Sequence, residues 1–422
     1  MKRLLALLSV TLMTVGAFAQ TAAVPTEPKL SPAERTMAQA TKLIEKHAKN
    51  FEAYNALALA LSRRARETSD VKFYDMAEAA LQKSSSISPN NFDGTRIHVW
   101  LLLGKHEFAA ALEAAKPLNQ KMPDDIMLYG FITDAKVDLG NYAEAEKAAQ
   151  WMLDLRPGNL PGMTRAAYLR ELFGDIDGSL DLMKMAYEST PPSETEDGAW
   201  ILAQMGHLEL MAGKPDDAEK LLNQALAQFP GYHYALANLA KVRILQKRYE
   251  DAVTLLRQRY DAAQHAENLY DLAEALELAG HTEEAARDFA EFETKSLAES
   301  VKGDNSNREL IFYYADHARQ PTKALRIAEL ERSRRHDVYT LDAYAWALHV
   351  NGRDTEAKQS VEAALKVGIQ DAKFFHHAGL IELTAGDKKA ATEYLQKSAA
   401  IKSSVSDQAR VTLASLTATP GR

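Results

Sequence analysis

The sequence predicts an all-α fold, a right-handed superhelical solenoid of about nine stacked helix-turn-helix units. Three observations predict it: turn glycines that recur every 34 residues, prolines with the same spacing, and apolar residues at helical intervals within each unit. A fixed period of about 20 to 50 residues is typical of solenoids. A chain of 422 residues would otherwise suggest two or three domains, but a stack of repeats forms one continuous body.

The N-terminal segment, residues 1–19, has the pattern of a secretory signal peptide. Two basic residues precede the apolar run Leu4–Val15, which is too short to span a bilayer, and small residues favour cleavage after Ala19. A buried N-terminal helix is the alternative interpretation. Residues 20–32 contain three prolines and predict an extended linker. We therefore expect a periplasmic or secreted protein, with no transmembrane segment in the mature chain.

The repeat solenoid is predicted for residues 33–403. Glycine adopts the left-handed conformation that ends a helix, so a recurring glycine marks the turn inside each unit. These turn glycines are Gly140, Gly174, Gly213, Gly280, Gly352 and Gly386. Proline cannot continue a helix and closes the second helix of several units, at Pro89, Pro123, Pro157 and Pro191. Residues 404–422 predict a short capping helix followed by a disordered tail.

Each unit resembles the tetratricopeptide repeat family. An alanine follows the turn glycine by five residues, as at Ala145 and Ala218, and a small residue lies midway along the first helix, as at Gly206 and Ala345. The last two repeats resemble those of exported bacterial members of the family. The resemblance covers most of the mature chain. It implies an open concave groove, lined by the first helix of every unit, that binds peptides or protein segments.

The composition excludes several classes of function. The formal charge of −8, from 50 basic and 58 acidic residues, argues against a general nucleic-acid binder, which needs a basic face to neutralise phosphates. The chain has no cysteine, so it has no disulfide, thiol nucleophile or thiolate metal site. It contains no glycine-rich phosphate loop, nucleophile elbow or His-Glu-x-x-His sequence. We therefore expect no catalytic residues, no cofactor and no metal.

The resemblance implies that the second, fifth, ninth and twelfth positions of each unit face the groove. Placing these positions relative to the turn residue gives the candidate partner-binding residues Trp200, His207, Tyr234, Tyr270, Glu274, Tyr339, Asp342, Trp346, His349, Lys373 and His376.

The last two units are chemically the richest. We expect Tyr339, Asp342, Trp346, His349 and His376 to form a polar-aromatic pocket, because an aromatic floor with a few converging polar groups is typical of ligand pockets. Asp342 and His376 occupy the fifth positions of adjacent units and are expected to meet. The alternative is that Trp346 packs between helices and that Asp342 and His376 form a structural pair.

The sequence thus predicts an exported, non-enzymatic scaffold, most simply a monomer, that holds segments of other envelope or secreted proteins in its concave groove. Two other functions stay open. The first is a small-ligand or metal-dependent site in the C-terminal repeats, with or without enzymatic activity. The second is an adaptor that oligomerises through its end units. The sequence does not identify a partner.

Overall fold

The computed structural model describes residues 30–417, so the predicted signal peptide, most of the predicted linker and the extreme C-terminus lie outside it. Within the described residues every regular element is helical. The elements are α1 (Pro32–Lys46), α2 (Phe51–Thr68), α3 (Lys72–Ile87), α4 (Phe92–Gly104), α5 (Phe108–Lys121), α6 (Ile126–Asp138), α7 (Tyr142–Leu155), α8 (Leu160–Leu172), α9 (Ile176–Ser189), α10 (Thr195–Met211), α11 (Pro215–Gln228), α12 (His233–Leu245), α13 (Tyr249–Ala262), α14 (Ala266–Leu278), α15 (Thr282–Glu299), α16 (Asn307–Phe312), continued by a π-helical turn (Tyr313–His317), α17 (Pro321–Arg332), α18 (Val338–Val350), α19 (Asp354–Leu365), α20 (Ala372–Thr384), α21 (Lys388–Ala400) and α22 (Ser406–Thr417).

The helices alternate as ten antiparallel pairs in the described part of the chain, each with a helix A and a helix B. Unit 1 is α2 with α3, unit 10 is α20 with α21, and the eight pairs between them are numbered in chain order. Helix α1 precedes unit 1, and α22 follows unit 10. The predicted all-α repeat solenoid is confirmed, with ten units where about nine were predicted.

One left-handed residue ends helix A in every unit. In six units it is one of the predicted turn glycines, and in units 1, 2, 6 and 8 it is Ser69, His106, Lys247 and Arg319. A residue with a Cβ atom is disfavoured in this conformation by about 1–2 kcal/mol, yet these four residues adopt it. The four units therefore lack the glycine by which the other turns are recognised in the sequence.

Small residues allow helices A and B of one unit to cross closely, as the sequence predicted. A Cβ atom added to Gly206 would lie 2.7 Å from Leu222 Cγ, and one added to Gly379 would lie 2.6 Å from Leu395 Cγ. Both distances are shorter than any comfortable carbon–carbon contact, because carbon atoms pack best at about 3.5–4.0 Å. The alanine that follows the turn by five residues, such as Ala145 or Ala218, is fully buried.

Successive turns of the superhelix touch each other along a line that we call the seam. At the seam, the A–B turn of one unit lies against the segment that precedes helix A six units later. The contacting pairs are His106 with Asp304, Gly140 with His336, Gly174 with Gly368, and Gly213 with Lys402. The backbone N–H of His336 also donates a hydrogen bond to the Asp138 carbonyl at 2.9 Å.

The seam is apolar as well as polar. One buried cluster contains residues from two successive turns of the superhelix: Val137, Leu169 and Leu172 belong to the first, and Val338 and Phe374 to the second. Burying a side chain of this size contributes about 1.5–3 kcal/mol. The two turns are therefore joined by a hydrophobic core and do not merely lie beside each other.

At its N-terminal end the seam is charged. Arg63 pairs with Glu194 at 2.6 Å, and Arg66 pairs with Glu196 and Asp197 at the start of α10. His233 Nε2, at the start of α12, lies 2.8 Å from the Arg66 carbonyl oxygen. The first unit is thus held against units 5 and 6 by a partly buried polar network.

Replacing Gly174 with alanine is expected to destabilise the chain more than the same change at Gly280. Both glycines end helix A with positive φ, +83° and +85°, so both substitutions carry the same left-handed strain of about 1–2 kcal/mol. Only at Gly174 would the new Cβ clash with the next turn, 2.4 Å from the Gly368 carbonyl oxygen, whereas nothing lies within 4 Å at Gly280. We expect about 1–3 kcal/mol of additional destabilisation at Gly174, measured by urea unfolding. Equal losses for the two variants would contradict the closed seam.

Candidate functional site

The inner face of the superhelix is defined by the helix A positions that lie thirteen, ten, six and three residues before each turn residue. These positions carry the predicted partner-binding residues. Charged and aromatic side chains from separate units approach one another there. The Arg308 guanidinium of unit 8, for example, lies 5.8 Å from the centre of the Tyr339 ring of unit 9.

The inner face is solvated and yet enclosed. Tyr168 and Tyr234 are each 36% exposed, so water reaches both rings. Burial nevertheless raises the pKa of Tyr168 well above its usual value, and it also raises the pKa of Tyr234. The side chains of Glu267 and Glu274 on the same face are also exposed, at 47% and 43%. The interior is therefore not plugged by its own side chains.

Units 7 and 8 contribute a cluster of carboxylates to this interior, which we call the acidic sector: Glu267, Asp271, Glu274, Glu309 and Asp316. Arg259 is the buried cation beside it, with Nη1 2.5 Å from Asp271 Oδ2 and Nη2 3.3 Å from Glu267 Oε1. Burial would raise the pKa of Glu267, but the Arg259 charge lowers it to about 2.

Glu309 has no such partner among the described residues. Burial, followed by the charge of Glu267, raises its pKa to about 7, and Arg308 opposes this shift only in part. His317 Nε2 lies 3.4 Å from Glu274 Oε1. Glu309 and Asp316 are thus the carboxylates of the acidic sector that form no ion pair with the described residues.

Replacing Glu309 with glutamine is expected to stabilise the folded chain at pH 8 and not at pH 5. The folded-state pKa of about 7 is higher than the ordinary value of about 4.3. Ionisation of Glu309 thus costs stability as the pH rises through this range. The shift sets an upper limit, and since water partly reaches the side chain we expect about 1–2 kcal/mol. Urea unfolding at the two pH values measures it.

Glu393→Gln, on the exposed surface of α21, is the matched control for this variant and should change stability by less than about 0.5 kcal/mol at either pH. A Glu309→Gln effect that is the same at pH 5 and pH 8 would show that Glu309 does not titrate in this range.

The predicted contact between Asp342 and His376 is wrong, because Asp342 pairs with the next residue, His377. Both carboxylate oxygens of Asp342 accept from His377 Nδ1, at 3.0 and 2.9 Å. Asp342 is 3% exposed and His377 is 4% exposed. Each residue along a helix is rotated by about 100° from the last, and it is the 377 position of α20 that faces α18. Burial lowers the pKa of His376 to about 4.

Trp346 covers this buried pair. Its ring stacks on His377 with 4.4 Å between ring centres, and its Nε1–H donates to Asp316 Oδ1 at 2.8 Å. His349 Nδ1 lies 2.7 Å from Asp354 Oδ1. Asp342, Trp346, His349 and His377 therefore form one cluster whose polar groups mostly satisfy each other, with Trp346 at its partly exposed edge.

Tyr339 belongs to a different contact, one that crosses the seam. Its hydroxyl lies 3.5 Å from Glu171 Oε1, and His207 Nε2 lies 3.2 Å from the same oxygen. The structure thus joins units 4, 5 and 9 through one buried carboxylate. Glu171 and the neighbouring Tyr168 were not predicted as site residues.

The other predicted residues have varied surroundings. Trp200 packs against the cores of adjacent units. Tyr270 is buried and donates to Glu274 Oε1 at 2.8 Å. Lys373 Nζ lies 3.4 Å from the centre of the Phe312 ring, and the Tyr234 ring lies 4.1 Å from that of His233. Tyr234 and Lys373 are exposed to the interior solvent, whereas Trp200 and Tyr270 are largely parts of the packing.

Among residues 30–417, no three histidine, aspartate or glutamate side chains are grouped so that they could hold a metal ion. In the same part of the chain, no helix combines the length and the apolar character needed to cross a bilayer.

Comparison with known proteins supports the repeat assignment. Residues 209–262 match the model of the tetratricopeptide repeat family. None of the curated protein sequences matches this chain. Among solved structures, the human IFIT1 dimer with m7Gppp-AAAA is 13% identical, covers 86% of this chain and 84% of its own, and superposes with a TM-score of 0.50. PilW, a type IV pilus biogenesis factor, is 14% identical over 49% of this chain and 94% of its own, with a TM-score of 0.41. At these identities the likeness concerns the fold alone.

Proposed function

We propose that this tetratricopeptide-repeat protein is an exported, non-enzymatic scaffold whose inner face holds an extended segment of another envelope or secreted protein. The repeat fold itself is that of a protein-interaction scaffold. The inner face offers such a segment exposed aromatic and charged side chains, among them Tyr168, Tyr234 and Lys373. A rigid stack presents such side chains without having to order a loop first, which reduces the entropic cost of binding.

The observation that carries this proposal is the exposure of Tyr168 and Tyr234, each at 36%, on an inner face that the seam encloses. Tyrosine side chains that are solvent-exposed on one side and packed against protein on the other are frequent anchors of protein interfaces. A peptide that displaces water from these rings would be surrounded by protein, so each contact would be well desolvated.

A photo-crosslinking amino acid at position 234 tests the proposal. We expect it to capture a discrete partner in the living cell when it replaces Tyr234 on the inner face. The matched control replaces Tyr187, which is similarly exposed at 37% but lies on helix B of unit 4. Capture at 234 and not at 187 supports a partner in the interior. Identical adducts at both positions, or none at 234, would contradict it.

The proposed export is supported by the sequence of residues 1–19, which lie outside the described part of the chain. We expect the mature protein to begin at Gln20. N-terminal sequencing of the protein recovered from its native envelope fraction tests this, and a mature chain that retains Met1 would contradict it.

The alternative of a small-ligand or metal-dependent site in the C-terminal units is not favoured. The Asp342 carboxylate and the His377 imidazole, which would have to bind such a ligand, are buried and already paired.

A further inference from the structure

The seam closes the lateral opening through which the inner face of the superhelix would otherwise be reached. Its contacts recur at four successive units, from His106 with Asp304 to Gly213 with Lys402. Between them lies the apolar cluster that contains Leu172 and Phe374. A groove open along its side would allow a partner to lie down laterally, as the family resemblance implied. With the turns in contact, the interior opens instead at the ends of the superhelix.

The charge of the interior favours one kind of occupant. Five carboxylates of units 7 and 8 form the acidic sector. Arg259 pairs with Glu267 and Asp271, and His317 pairs with Glu274, so Glu309 and Asp316 are left without an ion pair among the described residues. No ion pair to Glu309 is formed by the described residues, and its raised pKa agrees with unbalanced negative charge. The exposed ring of Tyr234 lies near Glu267. Burial is the largest cause of the raised pKa of Tyr234, and the Glu267 charge is the second. Carboxylates beside exposed aromatic rings suit ammonium and guanidinium groups, by ion pairing and by cation–π contact.

We propose that the interior takes the free end of an extended polypeptide bearing lysine or arginine, which enters along the superhelix axis while the seam stays closed. This inference deepens the proposed function and rests on it. An extended chain end is narrow enough to be threaded, whereas an internal loop of a folded protein would require the turns to separate. Separation would expose Leu172 and Phe374, which are buried in the closed seam.

The absence of cysteine from the sequence allows the seam to be locked by one engineered disulfide. A Cβ atom at position 213 would lie 3.7 Å from Lys402 Cβ, within the range of about 3.5–4.5 Å found for disulfides. We expect Gly213→Cys with Lys402→Cys to form an intramolecular bond in air, seen by mass spectrometry. The single variant Gly213→Cys controls for the strain of a side chain at this left-handed position. A pair that does not oxidise would overturn the closed seam.

The probe is a short linear peptide of alternating lysine and serine, labelled with fluorescein at one end. We expect it to bind the oxidised and the reduced double variant with Kd values within about twofold of each other. The same sequence placed between two folded domains, without a free end, is expected to bind neither form. Loss of linear-peptide binding on oxidation, or equal binding of the flanked peptide, would overturn entry by a chain end.

Two further measurements separate this inference from the proposed function. A peptide of alternating glutamate and serine should not bind, and Glu309→Gln should raise the Kd of the lysine peptide by about threefold to tenfold. If the lysine peptide does not bind while the crosslinker at position 234 still captures a partner, the cationic occupant is overturned and the scaffold stands. If the lysine peptide does not bind and the crosslinker at position 234 captures nothing, the proposed function fails as well.

Discussion

Arg66→Leu is expected to lower the free energy of unfolding by about 2–4 kcal/mol, because breaking a buried ion pair leaves its partner uncompensated. Arg66 binds Glu196, which is fully buried, and Asp197, which is partly exposed. Burial opposes its charge, but these two carboxylates raise the pKa of Arg66 above its usual value. Without the guanidinium, the Tyr232 hydroxyl at 2.8 Å is the remaining hydrogen-bond donor to the Glu196 carboxylate among the described residues. Urea unfolding followed by circular dichroism measures the loss.

Arg63→Leu is the matched control at the same seam. Both arginines are partly exposed and Glu196 beside Arg66 is fully buried, whereas the partners of Arg63, Glu194 and Asp197, are partly exposed too. Such pairs contribute about 0–1 kcal/mol. The double variant Arg66→Leu with Glu196→Leu removes both charges of the pair, including the buried carboxylate, and should be less destabilised than Arg66→Leu alone. A double variant whose loss equals the sum of the two single losses would show that the pair is not coupled.

The repeat fold could be predicted because its signal is local and is copied along the chain. Glycine at the left-handed turn, alanine five residues later and proline after helix B each follow from the geometry of a single unit. The signal is weaker in the four units that turn at Ser69, His106, Lys247 and Arg319, because these residues take the turn conformation without being glycine. At His106 and Lys247 the next residue donates the helix-closing hydrogen bond that also follows Gly140, from Glu107 N–H to the Leu102 carbonyl and from Arg248 N–H to the Arg243 carbonyl.

The seam could not be predicted from the sequence. It joins residues almost 200 positions apart, such as Tyr142, whose hydroxyl accepts from the Val338 backbone N–H at 2.9 Å. Whether turns touch depends on the sum of small rotations between successive units. No single residue fixes that sum, so the open groove implied by the family resemblance becomes an enclosed interior.

The repeat positions that face the interior could be predicted from the sequence, but the side-chain pairs formed there could not. Tyr168 and Glu171 lie six and three residues before Gly174, and Glu309 lies ten before Arg319. The rule that yields Tyr234 therefore also yields these residues once their turns are known. It could not yield the Asp342–His377 pair, since the rotation of one helix A against the next decides which of two adjacent histidines faces the carboxylate.

Asp342→Ala and Trp346→Ala are expected to act in different ways, although the sequence placed both residues in one binding pocket. Removing the Asp342 carboxylate leaves His377 Nδ1 buried without the acceptors it has at 2.9 and 3.0 Å. An unsatisfied buried polar group and the cavity beside it together cost about 2–4 kcal/mol. Urea unfolding should show this loss, and any loss of partner capture should follow the unfolded fraction.

Trp346→Ala removes a partly exposed ring and one hydrogen bond to Asp316, so we expect a smaller loss of about 1–2 kcal/mol. Crosslinking from position 234 in the two variants, measured where both are fully folded, separates structure from binding. If Trp346 contacts the partner, Trp346→Ala weakens capture at full folding and Asp342→Ala does not. The conservative change Asp342→Asn keeps an acceptor for His377 and should recover most of the stability lost in Asp342→Ala. A fully folded Asp342→Ala that captures nothing would instead show that the carboxylate itself meets the partner, and the buried pair would then have to open on binding.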